Sequence, residues 1–237
     1  MCIRDSINSK ITWINNLNEL PSIPCIIIGN EFFDALPIKQ YIKILQTWYE
    51  STIICDPIDG RLKFDKIELN KALLHQLNID HKNAQDGALI EESAEALEIT
   101  RKIAVHLRKV KGVCLVIDYG YNINHTERNR SQYNSTLQAI KNHKYQPIFE
   151  SLGESDLSAH VDFNALKNAV LQKGIKNIVI SSQRDFLVNW GIIIRQQLLK
   201  STSSIKDAVI LDAQLQRLIA KEQMGEIFKV MEYSSFR

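Results

Sequence analysis

The sequence predicts an α/β fold built on a parallel sheet, and two observations carry that reading. Residues 25–29 and 113–117 contain short, β-branched apolar runs of the kind that is buried on both faces of a sheet. A helical stretch, residues 89–109, ends at Gly112 and runs directly into the second of them. A helix feeding an apolar run is the mark of a βαβ unit, and such units make parallel strands.

The elements follow in order. Residues 7–20 read as a strand remnant and a polar link, and Pro24 and Gly29 bound the strand at 25–29. Residues 41–45 and 48–54 alternate as strands, and Asp59-Gly60 is a strong turn signal before a third, 61–64. Short turns join antiparallel partners, so residues 40–64 are expected to form a small β insertion outside the parallel sheet. Residues 68–86 are helical but ragged, with Leu73, Leu74 and Leu77 able to face inward. In the helix predicted over 89–109, Ile90, Ala94, Leu97, Thr100, Ala104 and Leu107 form one stripe. Residues 121–135 are polar and read as a loop over the site. Asp162 can cap a helix over 163–173, with Phe163, Leu166 and Val170 inward and Gly174 at its end. A strand at 177–181, helices near 184–200 and 206–223, and a last strand near 226–232 complete the chain. There is no internal repeat.

At 237 residues one domain is the expectation. Apolar residues make up 45% and charged residues 24%, ordinary for a globular chain. The net charge of +2 is too mild to argue for a nucleic-acid partner. No apolar run approaches the roughly 18 residues a membrane span needs. None of the four cysteines forms a Cys-x-x-Cys pair, the six histidines lack metal-ligand spacing, and no metal is expected. Cys25 and Cys114 sit in apolar strands and read as small buried hydrophobes, which fits a reducing compartment.

The richest stretch is Gly-Asn-Glu-Phe-Phe-Asp-Ala-Leu-Pro, residues 29–37. It places Asn30, Glu31 and Asp34, with Phe32 and Phe33 among them, where the first strand ends. Ligands in open α/β sheets sit at the carboxyl ends of strands. Asp118 ends the second strand in the same way, and His160 lies between Asp156 and Asp162. Each has a plainer reading: Asn30 as a turn former, the Phe pair as core, the acids as helix caps or solvated turns, His160 as a structural residue.

These motifs resemble the MidA family, which includes the mitochondrial complex I assembly methyltransferases. The resemblance rests on Asn-Glu-Phe-Phe-Asp-Ala-Leu-Pro at 30–37, Val-Ile-Asp-Tyr-Gly at 116–120 and Thr-Leu-Gln-Ala at 136–139. It extends to Asp-Leu-Ser-Ala-His-Val-Asp-Phe at 156–163 and Met-Gly-Glu-Ile-Phe-Lys-Val at 224–230. It implies a Rossmann-like class I methyltransferase sheet, S-adenosylmethionine as cofactor, and arginine methylation of a protein substrate, a respiratory complex I subunit among the candidates. The location implied is the bacterial cytoplasm or the mitochondrial matrix. Residue 135 departs from the family pattern: the family's Gly-Asp before Thr-Leu-Gln is Asn134-Ser135 here.

The resemblance also implies a Gly-rich cofactor loop and an acidic ribose partner, and no Gly-x-Gly occurs in this chain. The expectation is one methyltransferase domain over 1–237, incomplete at its N-terminus, with residues 1–6 a non-native leader. Within it, Asn30, Glu31, Asp34, Asp118 and His160 are the candidate catalytic residues. Asn30 and Phe33 are the candidate cofactor contacts. The acids would grip a guanidinium, whose pKa lies above about 12; His160 would take a proton. Gln183 and Phe186 match the family's Gln-x-x-Phe and read as site-wall residues. A non-catalytic binding protein on the same fold is the competing class. A nucleic-acid N-methyltransferase is disfavoured by the charge.

Overall fold

A computed structural model describes residues 11–76, 84–123, 135–142 and 144–236. The leader at 1–6, residues 124–134 of the expected loop and residues 77–83 of the helix expected over 68–86 lie outside these residues; 84–86, at that helix's expected end, are not helical.

The main sheet is mixed. Strand β1 (Cys25–Asn30) pairs in parallel with β6 (Gly112–Tyr121), from Cys25 opposite Gly112 to Asn30 opposite Ile117. Beyond β6 lie β12 (Phe228–Ser234) and then β11 (Asn177–Ser182). β12 runs antiparallel to both neighbours, so the sheet is parallel only where β1 and β10 meet β6. The reason is topological. β11 ends at Ser182, opposite Lys229, and β12 starts beside it with Phe228 opposite Tyr119. The intervening helices therefore leave and return at one edge of the sheet, and a strand that restarts where the last one stopped must run back.

The helix predicted over 89–109 divides. Residues Leu89–Glu92 are a strand, β5, and the helix α2 is Ala94–Val110. Ser93 stops the strand and caps the helix, accepting the Ala96 N–H. Ile90 thus packs in the insertion, opposite Tyr41, while Thr100, Ala104 and Leu107 face the main core as expected. The insertion is an antiparallel sheet of β2 (Lys39–Ile44), β3 (Thr47–Cys55), β4 (Leu62–Glu68) and β5. It buries Tyr41, Trp48, Leu69, Ala88 and Ile90 in a small core of its own. Of the ragged helix only α1, Lys71–Gln76, is described.

Three further expectations are corrected. Residues 11–20 hold no strand; Leu17–Glu19 form a 3-10 turn, because Asn16 and Glu19 make a reciprocal capping box. The stretch near 184–200 is two helices, α4 (Gln183–Asn189) and α5 (Ile192–Ser201), broken where Gly191 takes a left-handed φ of 80°. α6 (Ile205–Ile219) ends before a wide turn at Lys221–Gly225, where Gln223 is non-helical. A small sheet of β7 (Gln138–Lys141), β8 (Lys144–Gln146) and β9 (Asp156–Ser158) lies in a region with no apolar run to announce it.

α2 and α3 (Phe163–Gln172) cover one face of the main sheet, where Cys114, Val116, Leu107, Phe163, Val170 and Met231 form the core. Asp162 caps α3 by accepting the Ala165 N–H. Just before α3, β10 (Val161–Asp162) lies against Gly120 and Tyr121 of β6. A Cβ on Gly120 would fall 2.1 Å from the Val161 carbonyl oxygen. Gly120→Ala is therefore expected to destabilise the chain by about 1–3 kcal/mol, the usual cost of overpacking. Urea unfolding at fixed pH checks this, and an unchanged midpoint would mean that β10 does not need the close approach.

Candidate functional site

Strand β1 stops at Asn30 because the next residue, Glu31, takes a left-handed φ of 46° and turns the chain off the sheet. Its N–H still donates to the Ile117 carbonyl, 3.0 Å away. The turn points three successive N–H groups inward, and the Asp118 carboxylate receives all three. Its Oδ2 accepts from Phe32 (3.3 Å), Phe33 (3.0 Å) and Asp34 (3.2 Å), while Oδ1 accepts from Tyr119 (3.0 Å). Asp118 has no exposed surface. The expectation that it grips a substrate is corrected: its oxygens are used by the backbone, and it holds the loop in shape.

Burial, and then the neighbouring Asp34 carboxylate, push the Asp118 carboxyl up to about 7; the N–H bonds pull the other way.

Asp34 connects the loop to the segment at 156–162. Its carbonyl accepts the Ala159 N–H at 2.9 Å, and its Oδ2 accepts the Tyr119 hydroxyl at 2.7 Å. The Tyr119 oxygen in turn accepts from Gln138 Nε2 at 3.4 Å, and its ring meets the His160 ring edge-on at 5.4 Å. Asp34 Oδ1 is buried with no hydrogen-bond partner among the described residues.

His160 is half-buried, and its N–H donates to Thr136 Oγ1 at 2.9 Å. Burial lowers its imidazole below the usual range, against the pull of Glu91. The acids expected to flank it are corrected. Asp162 is committed to capping α3, Asp156 is exposed in β9, and the carboxylate acting on His160 is Glu91. Glu91 is buried and accepts from Gln40 (2.9 Å), Thr136 N (2.9 Å) and Thr136 Oγ1 (2.5 Å).

Two cavities meet at Phe33. One, of about 650 Å³, runs along the end of β1 past Ile28, Gly29, Asn30 and Phe32 to Ile103 and Cys114. The other, of about 270 Å³, lies toward Tyr41, Glu91, Leu97, His160 and Leu166. Asn30, Glu31 and Phe32 are exposed; Phe33 is buried, its ring edge-on to Phe32 at 5.3 Å.

The structure thus brings Asn30, Asp34, Asp118 and His160 to one end of β1 and β6. Glu31 stands at the rim with an exposed side chain. Gln183 and Phe186 belong elsewhere: Gln183 is buried and donates to the Leu218 carbonyl, tying α4 to α6, while Phe186 stacks near Trp190. The sequence reading missed Tyr119, Glu91 and Gln138 as site residues. Tyr119 and Gln138 stood inside quoted motifs, and Glu91 was hidden by its assignment to a helix. Among the described residues no group of three His, Cys, Asp or Glu could hold a metal ion, and no helix is long and apolar enough to cross a membrane.

Residues 3–181 match the family model described as "Putative S-adenosyl-L-methionine-dependent methyltransferase". The chain belongs to this methyltransferase family. It is 30% identical over 222 residues to the protein arginine methyltransferase NDUFAF7 of Danio rerio, covering 92% of this chain and 49% of the relative. The Homo sapiens protein of that name is 27% identical, with 92% and 47% covered. A Burkholderia thailandensis protein crystallised with S-adenosyl-homocysteine superposes with a TM-score of 0.77 at 26% identity, over 92% of this chain and 55% of that one. The chain thus spans about half the length of the curated relatives it matches.

Asn30 and Phe33, the expected cofactor contacts, both line the larger cavity at the carboxyl end of a parallel strand, Phe33 with a buried side chain and the exposed Phe32 ring beside it.

The raised Asp118 carboxyl has a consequence for stability. Between about pH 4 and 7 the folded state holds a proton that the unfolded chain has released. This group's contribution is present at low pH and is lost as pH rises through that window. Asp118→Asn should remove that downward slope, and should also cost about 1–3 kcal/mol for each N–H left without a partner. Urea unfolding from pH 4 to 8 checks both. An unchanged slope would show that Asp118 does not carry it.

Proposed function

We propose that the chain is the substrate-side part of an S-adenosylmethionine-dependent protein arginine N-methyltransferase. The observation that carries this is Asp34: one carboxylate oxygen is fixed by Tyr119, and the other is buried without a donor among the described residues. An unpaired buried carboxylate oxygen is costly, and a guanidinium N–H is a strong donor of the right charge. The cofactor supplies a sulfonium-bound methyl group. The chain's part is to hold the target nitrogen and accept its proton. Asp34 orients the guanidinium, Asn30 and Glu31 border its approach, and Phe33 separates the two cavities. As the nitrogen lone pair forms the new N–C bond, the C–S electrons remain on sulfur. His160, held neutral by burial, takes the surplus proton. Positioning of this kind is most of the catalytic work in an in-line transfer.

The named relatives support an arginine-bearing protein as substrate. The resemblance to the complex I assembly enzymes favours a respiratory complex I subunit, with the mitochondrial matrix or the bacterial cytoplasm as the location. A second reading, a non-catalytic binding protein on the same fold, is favoured by one observation. Ile26 and Ile28 are 73% and 62% exposed on the edge strand β1, so the wall of the cofactor pocket beyond β1 is not supplied by the described residues. We therefore expect the 237-residue chain to bind the cofactor weakly and to be inactive alone.

Calorimetric titration with S-adenosyl-homocysteine tests this. The chain alone should show little or no binding. The same chain joined to the part of the Danio rerio relative that it does not match should bind and methylate an arginine peptide, with Asp34→Asn lowering kcat/KM by about 100-fold or more. Micromolar binding by the chain alone would overturn the incomplete-pocket reading. Binding without methylation in the joined form would favour the non-catalytic one.

A further inference from the structure

Helix α3 carries three side-chain amides on one stripe. Asn164, Asn168 and Gln172 stand at every fourth position, so they lie one above the other along the helix. All three line the cavity of about 270 Å³; Asn164 and Asn168 are half-buried there, and Gln172 is exposed. His160 and Phe33 line the same cavity, so the stripe leads into the site. Four residues of helix rise about 6 Å. Two residues of an extended chain advance about 6.6 Å. The amides therefore match the repeat of alternate peptide groups in an extended segment laid along α3. A carboxamide donates and accepts, so each can meet both a peptide C=O and a peptide N–H.

The cavity also differs in charge along its length. Glu92 and Asp162 line it where α2 and α3 begin, beside His160, and Arg101 lines it further along α2. Arg101 lies about 12 Å of helix beyond the Ser93 cap, the span of about three or four extended residues. Its carboxylate neighbour Glu98 is 3.9 Å away and itself exposed, a weak and screened pairing.

We propose that this cavity holds the main chain of an extended substrate segment, with the α3 amides on its alternate peptide groups. The acidic end, at His160, receives the arginine, and Arg101 receives an acidic residue about three or four positions away. The inference rests on the arginine reading of the site and names the kind of segment that carries the arginine.

The test is an NMR titration of the 237-residue chain with the N-acetylated, C-amidated peptide Glu-Ala-Ser-Arg-Ala-Ser-Glu, which offers an acid on either side of the arginine. Its counterparts carry Gln for both Glu, citrulline for Arg, or methyl groups on alternate backbone nitrogens. The parent peptide should bind and shift the signals of α3 and His160. The double variant Asn168→Leu with Gln172→Leu should weaken it about tenfold, the loss of two hydrogen bonds. Both changes sit on the helix surface and favour helix, so the melting temperature should not fall. Backbone methylation should cost the unmodified chain about tenfold and the double variant little. Arg101→Gln should remove a preference of about threefold for the Glu peptide over the Gln one and leave the Gln peptide's affinity unchanged. No binding of the parent peptide, an unchanged affinity in the double variant, or an equal cost of methylation in both chains would overturn the proposal. An unchanged Glu preference in Arg101→Gln would overturn the assignment of the acidic residue. Equal binding of the arginine and citrulline peptides would instead overturn the arginine reading, and the double variant would still decide the role of the amides.

Discussion

The site depends on one buried carboxylate. Asp118 gathers four backbone N–H groups, three of them from consecutive residues that have just left the sheet at a left-handed turn. A turn of that kind at Glu31 is strained for a residue with a side chain, and it persists only where its surroundings enforce it. Here the enforcement is a hydrogen-bonded carboxyl group with no exposed surface. The arrangement explains why β1 and β6 end together. Asn30 pairs with Ile117 as the last rung, and the next residue on β6 is the acceptor that turns the β1 chain aside.

From that anchor the rest of the site follows by short steps. Asp34 is placed by its own N–H on Asp118, and its two free functions reach outward: the carbonyl to Ala159 and the carboxylate to Tyr119. Ala159 leads into His160 and then into β10, which can approach Gly120 only because that residue has no Cβ. A second buried carboxylate, Glu91, does the same for the insertion. It ties Gln40 of β2 to Thr136, and Thr136 to the His160 backbone. Two buried acids thus join the main sheet, the insertion and the 135–162 segment.

Much of this was legible in the sequence. The strands near 25 and 113 announced themselves by β-branched runs, α2 and α3 by stripes of which Thr100, Ala104, Leu107, Phe163, Leu166 and Val170 are buried while Ala94 is exposed, and the insertion by its Asp59-Gly60 turn. Asn30, Asp34, Asp118 and His160 were placed together by their motifs. What failed did so for local reasons. Leu89–Glu92 continued the period of the helix behind it, and only the pairing of Ile90 with Tyr41 made it a strand. The role of Asp118 was misread because an aspartate at a strand end looks alike whether it faces a ligand or three amides. Glu91 was missed because its partners, Gln40 and Thr136, are distant in sequence and meet it only in the fold.

The bare face of the sheet gives the fold its second constraint. Parallel strands are usually covered on both faces. Here Cys25 and Ile27 pack under α2 and α3, while Ile26 and Ile28 on the other side, and Val179 on β11, remain exposed. Among the described residues β1 is also the edge of the sheet, so its outer N–H and C=O groups and its apolar face lie on the same border. That edge borders the larger cavity, beside Asn30. Whatever covers β1 therefore also becomes a wall of the pocket there, and sheet completion and ligand binding draw on the same surface. In such an arrangement affinity for a ligand in that cavity and stability of the sheet rise together, because a partner that binds only the folded edge stabilises it by mass action.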